Sequence, residues 1–448
     1  MKTQTLLLLL ACIIYGFMPL HAQWWSLTGG MVDSPNNHSM NNISVVSPEV
    51  VWAVSSAYPV TDEYLVRSTD GGESWTMTPI AIDSGLYAIH LYALNDTMAW
   101  LATSDEQNPI SGKIYKTSDR GLSWEEQTGA FTGFNETPAG VYFWNENEGV
   151  AFGATCQTDY DDQIAIYYTE SGGEDWTAVS GEDMPEQLPG ERMCLASRNG
   201  FYEVVGDHIW FVTGDGRVFR SADRGKSWDA HYVIPEGGSG TLASLAFKDT
   251  LNGVAAIFPA GAATTTDGGT SWSNYRPFGF FYQSGQIEYI PGSEGTYLVG
   301  SGALPNSNRM AVSFDNGYSW EDMSTNVDLD CYQFLSPTVG FGGGIITGSA
   351  DGGMYKWLGT GLTSSGHRIS KVQLKVFPNP ADSEVRVELS DWPVDGLQVK
   401  LYNAQGQLLR QEWLNRQGGI DVSGLSPGLY SLTALKDGQT YIGQFIKL

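Results

Sequence analysis

Ser68-Thr69-Asp70-Gly71-Gly72-Glu73-Ser74-Trp75 is the stretch on which the reading of this chain turns. The same pattern, Ser/Thr-x-Asp-x-Gly-x-Ser-Trp, returns at 117–124, 221–228, 265–272 and 313–320. A worn copy at 169–176 has Ser171 where the aspartate should stand. The tryptophans fall at 75, 124, 176, 228, 272 and 320, so each step is 44 to 52 residues. A period of that length, filled with short strand-like runs, is the mark of a β-propeller in which one repeat supplies one four-stranded blade. The residue types have local reasons. An aspartate in a tight turn accepts hydrogen bonds from backbone N–H groups one or two residues on. The glycine permits a positive φ, and the tryptophan buries a large ring whose N–H needs a partner. Asp70, Gly72 and Trp75 are therefore expected to be structural. So are their equivalents Asp119, Gly121, Trp124, Gly173, Trp176, Asp223, Gly225, Trp228, Asp267, Gly269, Trp272, Asp315, Gly317 and Trp320.

The runs between boxes support strands throughout. In the first repeat Ile43–Val46, Val50–Val54 and Tyr64–Val66 precede the box, and Trp75–Thr78 follows it. Alternating and β-branched residues between turn signals read as short strands, and helical periodicity is absent. After Trp320 three further strand signals appear and then run out, ending at Met354–Trp357. The fourth strand is expected from Gln23-Trp24-Trp25-Ser26-Leu27, which resembles the segment following each box. The expectation is an all-β chain with a seven-bladed propeller whose last blade is closed by the N-terminal strand, leaving no unpaired edge.

These repeats resemble Asp boxes, also called BNR repeats, found in sialidases, sortilin-type receptors, some xyloglucan hydrolases and photosystem II assembly factors. The resemblance implies that each box lies on the hairpin between the third and fourth strands, away from the active face. Fold likeness of this kind is shared by unrelated functions and does not settle activity.

The chain has 448 residues, with an apolar run over 6–18 and Leu20-His21-Ala22 before Gln23, the pattern of a secretory signal peptide over 1–22. No later stretch has the ~20 apolar residues of a membrane span. Cys12 falls in the signal; Cys156, Cys194 and Cys331 are too few for a disulfide framework, with Cys156–Cys194 the nearest pair. The formal net charge is −26, and the last 78 residues balance eight basic against eight acidic side chains, so the excess lies upstream. Such a body repels nucleic acid and anionic lipid.

A Gly/Ser/Thr-rich stretch at 359–370 reads as a linker between the propeller (23–358) and a small immunoglobulin-like β-sandwich (371–448). Residues 371–448 carry Phe377-Pro378-Asn379-Pro380, Asn403-Ala-Gln-Gly406, Gly428-Leu429-Tyr430 and the terminal Phe445-Ile-Lys447-Leu448. They resemble the type A sorting domain of the type IX secretion system. The resemblance implies passage across the outer membrane of a Gram-negative bacterium. It also implies removal by a sortase-like peptidase that joins the cargo to lipopolysaccharide, leaving it surface-attached or released. Pro378, Asn379, Pro380, Gly428, Leu429, Tyr430 and Lys447 would mark the signal.

Chemistry is sparse. Six histidines are scattered without zinc-site spacing. Gly424-Leu-Ser426-Pro-Gly428 matches Gly-x-Ser-x-Gly by letters, but a nucleophile elbow requires a following helix. No Arg-Ile-Pro is present, as a sialidase would have, and a xyloglucanase-like pair of aspartates across two propellers lacks a second propeller. The long connections at 56–63, 104–112, 157–163, 180–192 and 274–283 are expected on the face opposite the boxes. They carry Asp62, Asp105, Asp159, Tyr160, Asp161, Asp162, Arg276, Phe280, Phe281 and Tyr282. Aromatics beside carboxylates suit a glycan or peptide, and Asp159–Asp162 could hold calcium through oxygen ligands. The leading expectation is a binding module for a protein or glycan, with no cofactor; the alternative is a secreted glycoside hydrolase using loop carboxylates.

Overall fold

The computed structural model describes residues 24–27 and 38–448, except 58–61, 106–111, 133–136, 154–163, 189–190, 192, 194–198, 235–240, 259–260, 274, 279–283, 302–308, 325–326, 328, 345–352, 359–361, 363–371, 389–396, 404–407, 415–417 and 437–438. It divides into two compact units, 1–364 and 365–448.

Among its described residues the first unit contains seven four-stranded antiparallel sheets. The first comprises His38–Val45, Val51–Ala57, Glu63–Ser68 and Thr76–Pro79. Five more follow in the same order, with first strands Leu86–Ala93, Pro138–Phe143, Tyr202–Val205, Thr241–Phe247 and Ser284–Tyr289. The seventh has Cys331–Ser336, Val339–Gly343 and Met354–Trp357, and its fourth strand is Trp24–Leu27, paired in register from Trp24↔Trp357 to Leu27↔Met354. The closing strand thus comes from the segment the sequence pointed to. One 3-10 turn, Gly181–Asp183, is the single helical element among the described residues of this unit.

Second strands such as Ala99–Asp105 are buried almost throughout, because neighbouring sheets cover both of their faces. Close approach depends on size at the first turn of three sheets. Phe143, Phe247 and Phe334 lie over Gly149, Gly253 and Gly340, where a Cβ would come within 2.6 Å of the ring. Rings also stack between sheets: Trp100 lies 3.7 Å from Phe143, and Trp210 lies 3.9 Å from Phe247.

Two expectations shift. Leu362, inside the anticipated linker, is fully buried with Trp24, Ile290 and Trp357, so the packed unit reaches past 358. Glu191, inside an expected surface connection, is also fully buried. Its carboxylate accepts from Arg217 Nε at 2.8 Å, from Thr213 at 3.1 Å and from the Leu188 N–H at 3.2 Å, tying the 179–201 connection to the fourth sheet.

The second unit has a five-stranded sheet and a three-stranded sheet (Lys375–Phe377, Glu384–Glu388, Gly419–Asp421). Both contribute to one core that includes Val385, Ile420, Val399, Leu432 and Phe445.

Candidate functional site

The box is a clasp built from all of its fixed letters. Asp70 Oδ1 accepts the Ser74 N–H at 2.9 Å, and Oδ2 accepts the Ser74 hydroxyl at 2.5 Å. The reach is four residues, longer than the one or two expected, because two consecutive residues of the turn take positive φ: Gly71 and Gly72 here at 73° and 89°, and Arg120–Gly121, Arg224–Gly225 and Asn316–Gly317 in other copies. Ser68 Oγ takes the Gly72 N–H at 2.9 Å, and the Trp75 indole donates to Gly72 O at 3.1 Å. The carboxylate and hydroxyl bonds recur around Asp119, Asp223, Asp267 and Asp315, and the indole bond recurs at Trp228, Trp272 and Trp320 but not at Trp124. Hydrogen bonds from Ser123 hold Asp119 down at about 2. Burial pushes Asp267 the other way, but bonds from Ser271 and Thr265 outweigh it and leave it at about 2. These carboxylates are committed to the turn.

The box also joins sheets. Gly72 packs on Leu27 and Phe341 of the seventh sheet, Gly121 on Leu65 of the first, Gly225 on Val150 of the third and Gly317 on Val254 of the fifth. Each contact is with the preceding sheet. Lysines at the ends of third strands reach the other way: Lys116, just before a box, donates through Nζ to Gly172 O at 3.1 Å, and Lys356, in the seventh sheet, which has no box, donates to Gly71 O at 2.8 Å. Arg67 lies 4.8 Å over Trp52 and Lys116 5.4 Å over Trp100, their cross-strand partners.

A second device lies on the inner strands. Asn42 Oδ1 and Ser44 Oγ accept the Leu91 and Ala93 N–H groups of the next sheet at 3.1 and 3.0 Å. His90 accepts the Val141 N–H, Ser244 the Ile287 N–H and Glu288 the Phe334 N–H (2.6 Å), while Gln333 accepts the Val45 N–H at 2.7 Å. Side chains thus cap the inner backbone edge that no strand pairs. They surround a central channel of about 360 Å³ lined by inner-strand residues of all seven sheets. Asn199 and Gly200 lie across it, bonded to Ile43 of the first sheet (2.6 and 3.1 Å) and Leu245 of the fifth (2.9 Å), with Gly200 against Gln286 of the sixth. From there the lining runs toward Val46 and Leu94, at the end where first-strand turns meet the box turns.

On the opposite face a cleft of about 400 Å³ lies between the first and second sheets, lined by Asp62, Glu63, Tyr64, Ile82, Asp83 and Tyr87 among others. Burial raises Glu63 to about 8, although its Oε2 accepts the Ala88 N–H at 2.8 Å. Asp83 pairs with Lys113 at 2.6 Å, which lowers its pKa. Of the expected ligand face, Asp62 lines this cleft and Asp105 pairs with Leu86, another lining residue. Arg276 stands elsewhere, its guanidinium 4.6 Å over the Tyr318 ring. Asp159, Tyr160, Asp161, Asp162, Phe280, Phe281 and Tyr282 lie outside the described residues, as do Cys156 and Cys194. Among the described residues no group of three metal-ligating side chains gathers. The sequence reading placed Glu63 at the end of the 56–63 connection but missed Glu203 and Glu288, whose alternation inside short strands looks like an ordinary solvated face.

In the second unit the anticipated signal residues come together at the C-terminal strand. Asn379 Oδ1 accepts the Ile446 N–H at 2.9 Å, and Ala381 N–H donates to Ile446 O at 2.8 Å. Gly428, Leu429 and Tyr430 pair with Lys447, Ile446 and Phe445. The Tyr430 ring stacks on Phe445, and its hydroxyl donates to Ser426 O at 2.8 Å. Lys447 is buried, and the Phe377–Pro378 and Asn379–Pro380 bonds are cis.

Residues 375–448 match the family described as a secretion system C-terminal sorting domain. No curated protein matches the chain. Among solved structures, YCF48 bound to D1 peptide is similar with a TM-score of 0.53 and 16% identity, over 76% of this chain and 99% of that one. YCF48 from Cyanidioschyzon merolae gives 0.48 and 16% over 75% and 99%. The GH74 xyloglucanase from Xanthomonas campestris gives 0.30 and 13% over 88% and 66%. The first of these likenesses is one of fold: the chain is a β-propeller protein, and its sorting domain marks it for secretion by the type IX system. No helix among the described residues is long and apolar enough to cross a membrane.

Proposed function

We propose that this exported propeller is a binding module that takes a glycan or a protein on the face opposite its boxes. The observation that carries the reading is the cleft between the first and second sheets, where Tyr64 and Tyr87 stand with Asp62 and Asp83. Aromatic rings beside carboxylates supply apolar platforms and hydrogen-bond acceptors to a polyhydroxylated or peptide ligand. In this reading the seven-bladed propeller runs from 23 past 358 to Leu362, and 371–448 is the sorting domain. That domain engages the secretion machinery and a sortase-like peptidase through the cluster around Asn379, Tyr430 and Lys447, and 159–162 offers oxygen ligands to calcium.

A glycan and glycoside array on the mature chain, with and without calcium, tests this. Binding without product release, weakened at least tenfold by Tyr87→Ala and by Asp62→Asn, is the expected result. A second reading, glycoside hydrolysis, rests on Glu63, which burial in the cleft keeps protonated at neutral pH as a general acid must be. Turnover abolished by Glu63→Gln would establish that reading and overturn the first.

A further inference from the structure

The central channel holds chemistry that the binding face does not use. Six titratable side chains line it: His90, Tyr92, Tyr142, Tyr202, Glu203 and Glu288. No lysine or arginine is among the lining residues. His90 carries no compensating charge, since burial holds it down at about 3 and its Nδ1 accepts the Val141 N–H at 3.4 Å. Glu203 and Glu288 occupy equivalent places on the fourth and sixth sheets. In the first sheet the corresponding cap is a hydroxyl, Ser44, which accepts the Ala93 N–H as Glu288 accepts that of Phe334. A carboxyl at such a cap brings a second oxygen that the cap does not need. Glu288 is nine-tenths buried, and its Oε2 has no hydrogen-bond partner. An orphaned carboxyl oxygen in a place where a hydroxyl or amide serves as well is costly without a ligand.

We propose that the channel binds a primary alkylammonium group between Glu203 and Glu288, entering from the box face. The ammonium has three N–H donors and one charge. It satisfies Glu288 Oε2 and offsets the single carboxylate charge that the pair carries once one proton has left. Tyr142 and Tyr202 contribute aromatic walls, which favour a cation. The opposite end is crossed by Asn199 and Gly200, so the site admits a side chain or a short linear amine and not a threading strand. Without ligand the pair keeps protons: burial lifts Glu203 to about 7 and Glu288 well above its ordinary value. Binding transfers a proton from the carboxyl pair to solvent, so affinity rises with pH through neutrality.

The amine comes either free or as a lysine side chain of a partner, and titration calorimetry on the mature full-length chain at pH 6 and pH 8 separates the two. One arm uses cadaverine, the other a lysine-containing peptide and its Nε-acetylated form. Saturable binding in either arm, tighter at pH 8, is expected. It should be at least tenfold weaker in Glu288→Gln, with heats that depend on the buffer's ionisation enthalpy. Cadaverine binding identifies the free amine; peptide binding lost on acetylation, with none to cadaverine, identifies a side chain. Glu288→Gln keeps an oxygen for the Phe334 N–H and should melt as the parent does; Glu203→Gln is the second variant. No binding in either arm, or binding unchanged in both variants, overturns the proposal. Neither result bears on the cleft of the opposite face, whose ligand these variants should leave unaffected.

Discussion

In the third repeat the carboxylate and the hydroxyl of the box have exchanged places: Ser171 stands for the aspartate and Asp175 for the serine. The turn survives because Ser171 Oγ accepts the Asp175 N–H at 2.8 Å and Thr169 Oγ1 the Gly173 N–H at 3.0 Å. What is lost is the second carboxylate bond; the Trp176 indole N–H has no partner, but neither has that of Trp124 in an intact box, so the exchange is not its cause. Ser171→Asp alone should therefore destabilise, by about 1–2 kcal/mol, since it sets two carboxylates four residues apart in a closed turn. Ser171→Asp with Asp175→Ser should restore the full clasp and stabilise by about 1 kcal/mol relative to the parent. A double-mutant cycle read by thermal melting checks this, and additive effects would refute it. The box letters were legible in the sequence because they act within eight residues. Their contact with the preceding sheet was not, since Gly121 and Leu65 are 56 positions apart and share no local pattern.

At the scale of strands, closure of the ring rests on Trp24–Leu27. Trp24 is 5% exposed and meets Phe334 and Trp357 edge-on at 5.6 and 5.4 Å. Trp24→Ala should cost about 3–5 kcal/mol. Amide exchange should rise first in Met354–Trp357, the strand it pairs, while the fourth sheet stays protected; a uniform rise would show that closure is not local. This strand was legible because a tryptophan opening a short strand-like run, Trp24-Trp25-Ser26-Leu27, resembles the segment that follows each box. The connection at 179–201 was not, because a buried acid in a loop reads as a solvated one. Glu191 is that case, 0% exposed on its side chain against 8% for Arg217. Glu191→Ala would leave the guanidinium buried and unpaired, which costs about 3–5 kcal/mol. It should also loosen Asn199 from the channel, measurable as proteolysis between 185 and 200; a variant as stable and as resistant as the parent would remove Glu191 from this role.

For the whole molecule, acids displaced in opposite directions set how stability follows pH. The box aspartates Asp119 and Asp267 are ionised more readily folded than unfolded, so their contribution is complete above about 4 and is lost as pH falls toward about 2. Glu63 and Glu203 behave inversely. Their folded values, about 8 and about 7, lie above the ordinary 4.5, so the folded chain binds more protons than the unfolded one across that interval. Their contribution is complete below about 4.5 and is lost as pH rises to about 8. The net charge of −26 acts in the same sense, because self-repulsion grows as the last acids ionise. Sequence composition gave the charge; it could not show which acids keep their protons, since Glu63, Glu203 and Glu288 differ from their neighbours only in where ring closure buries them. The melting temperature should therefore peak at mildly acid pH and fall between pH 5 and pH 8. Glu203→Gln and Glu63→Gln should each flatten that limb while leaving the acid limb, which belongs to Asp119 and Asp267, in place. Melting curves of the three chains from pH 3 to pH 9 decide the matter. A limb equally steep in both variants would mean that general repulsion, and not these two buried carboxyls, governs the fall.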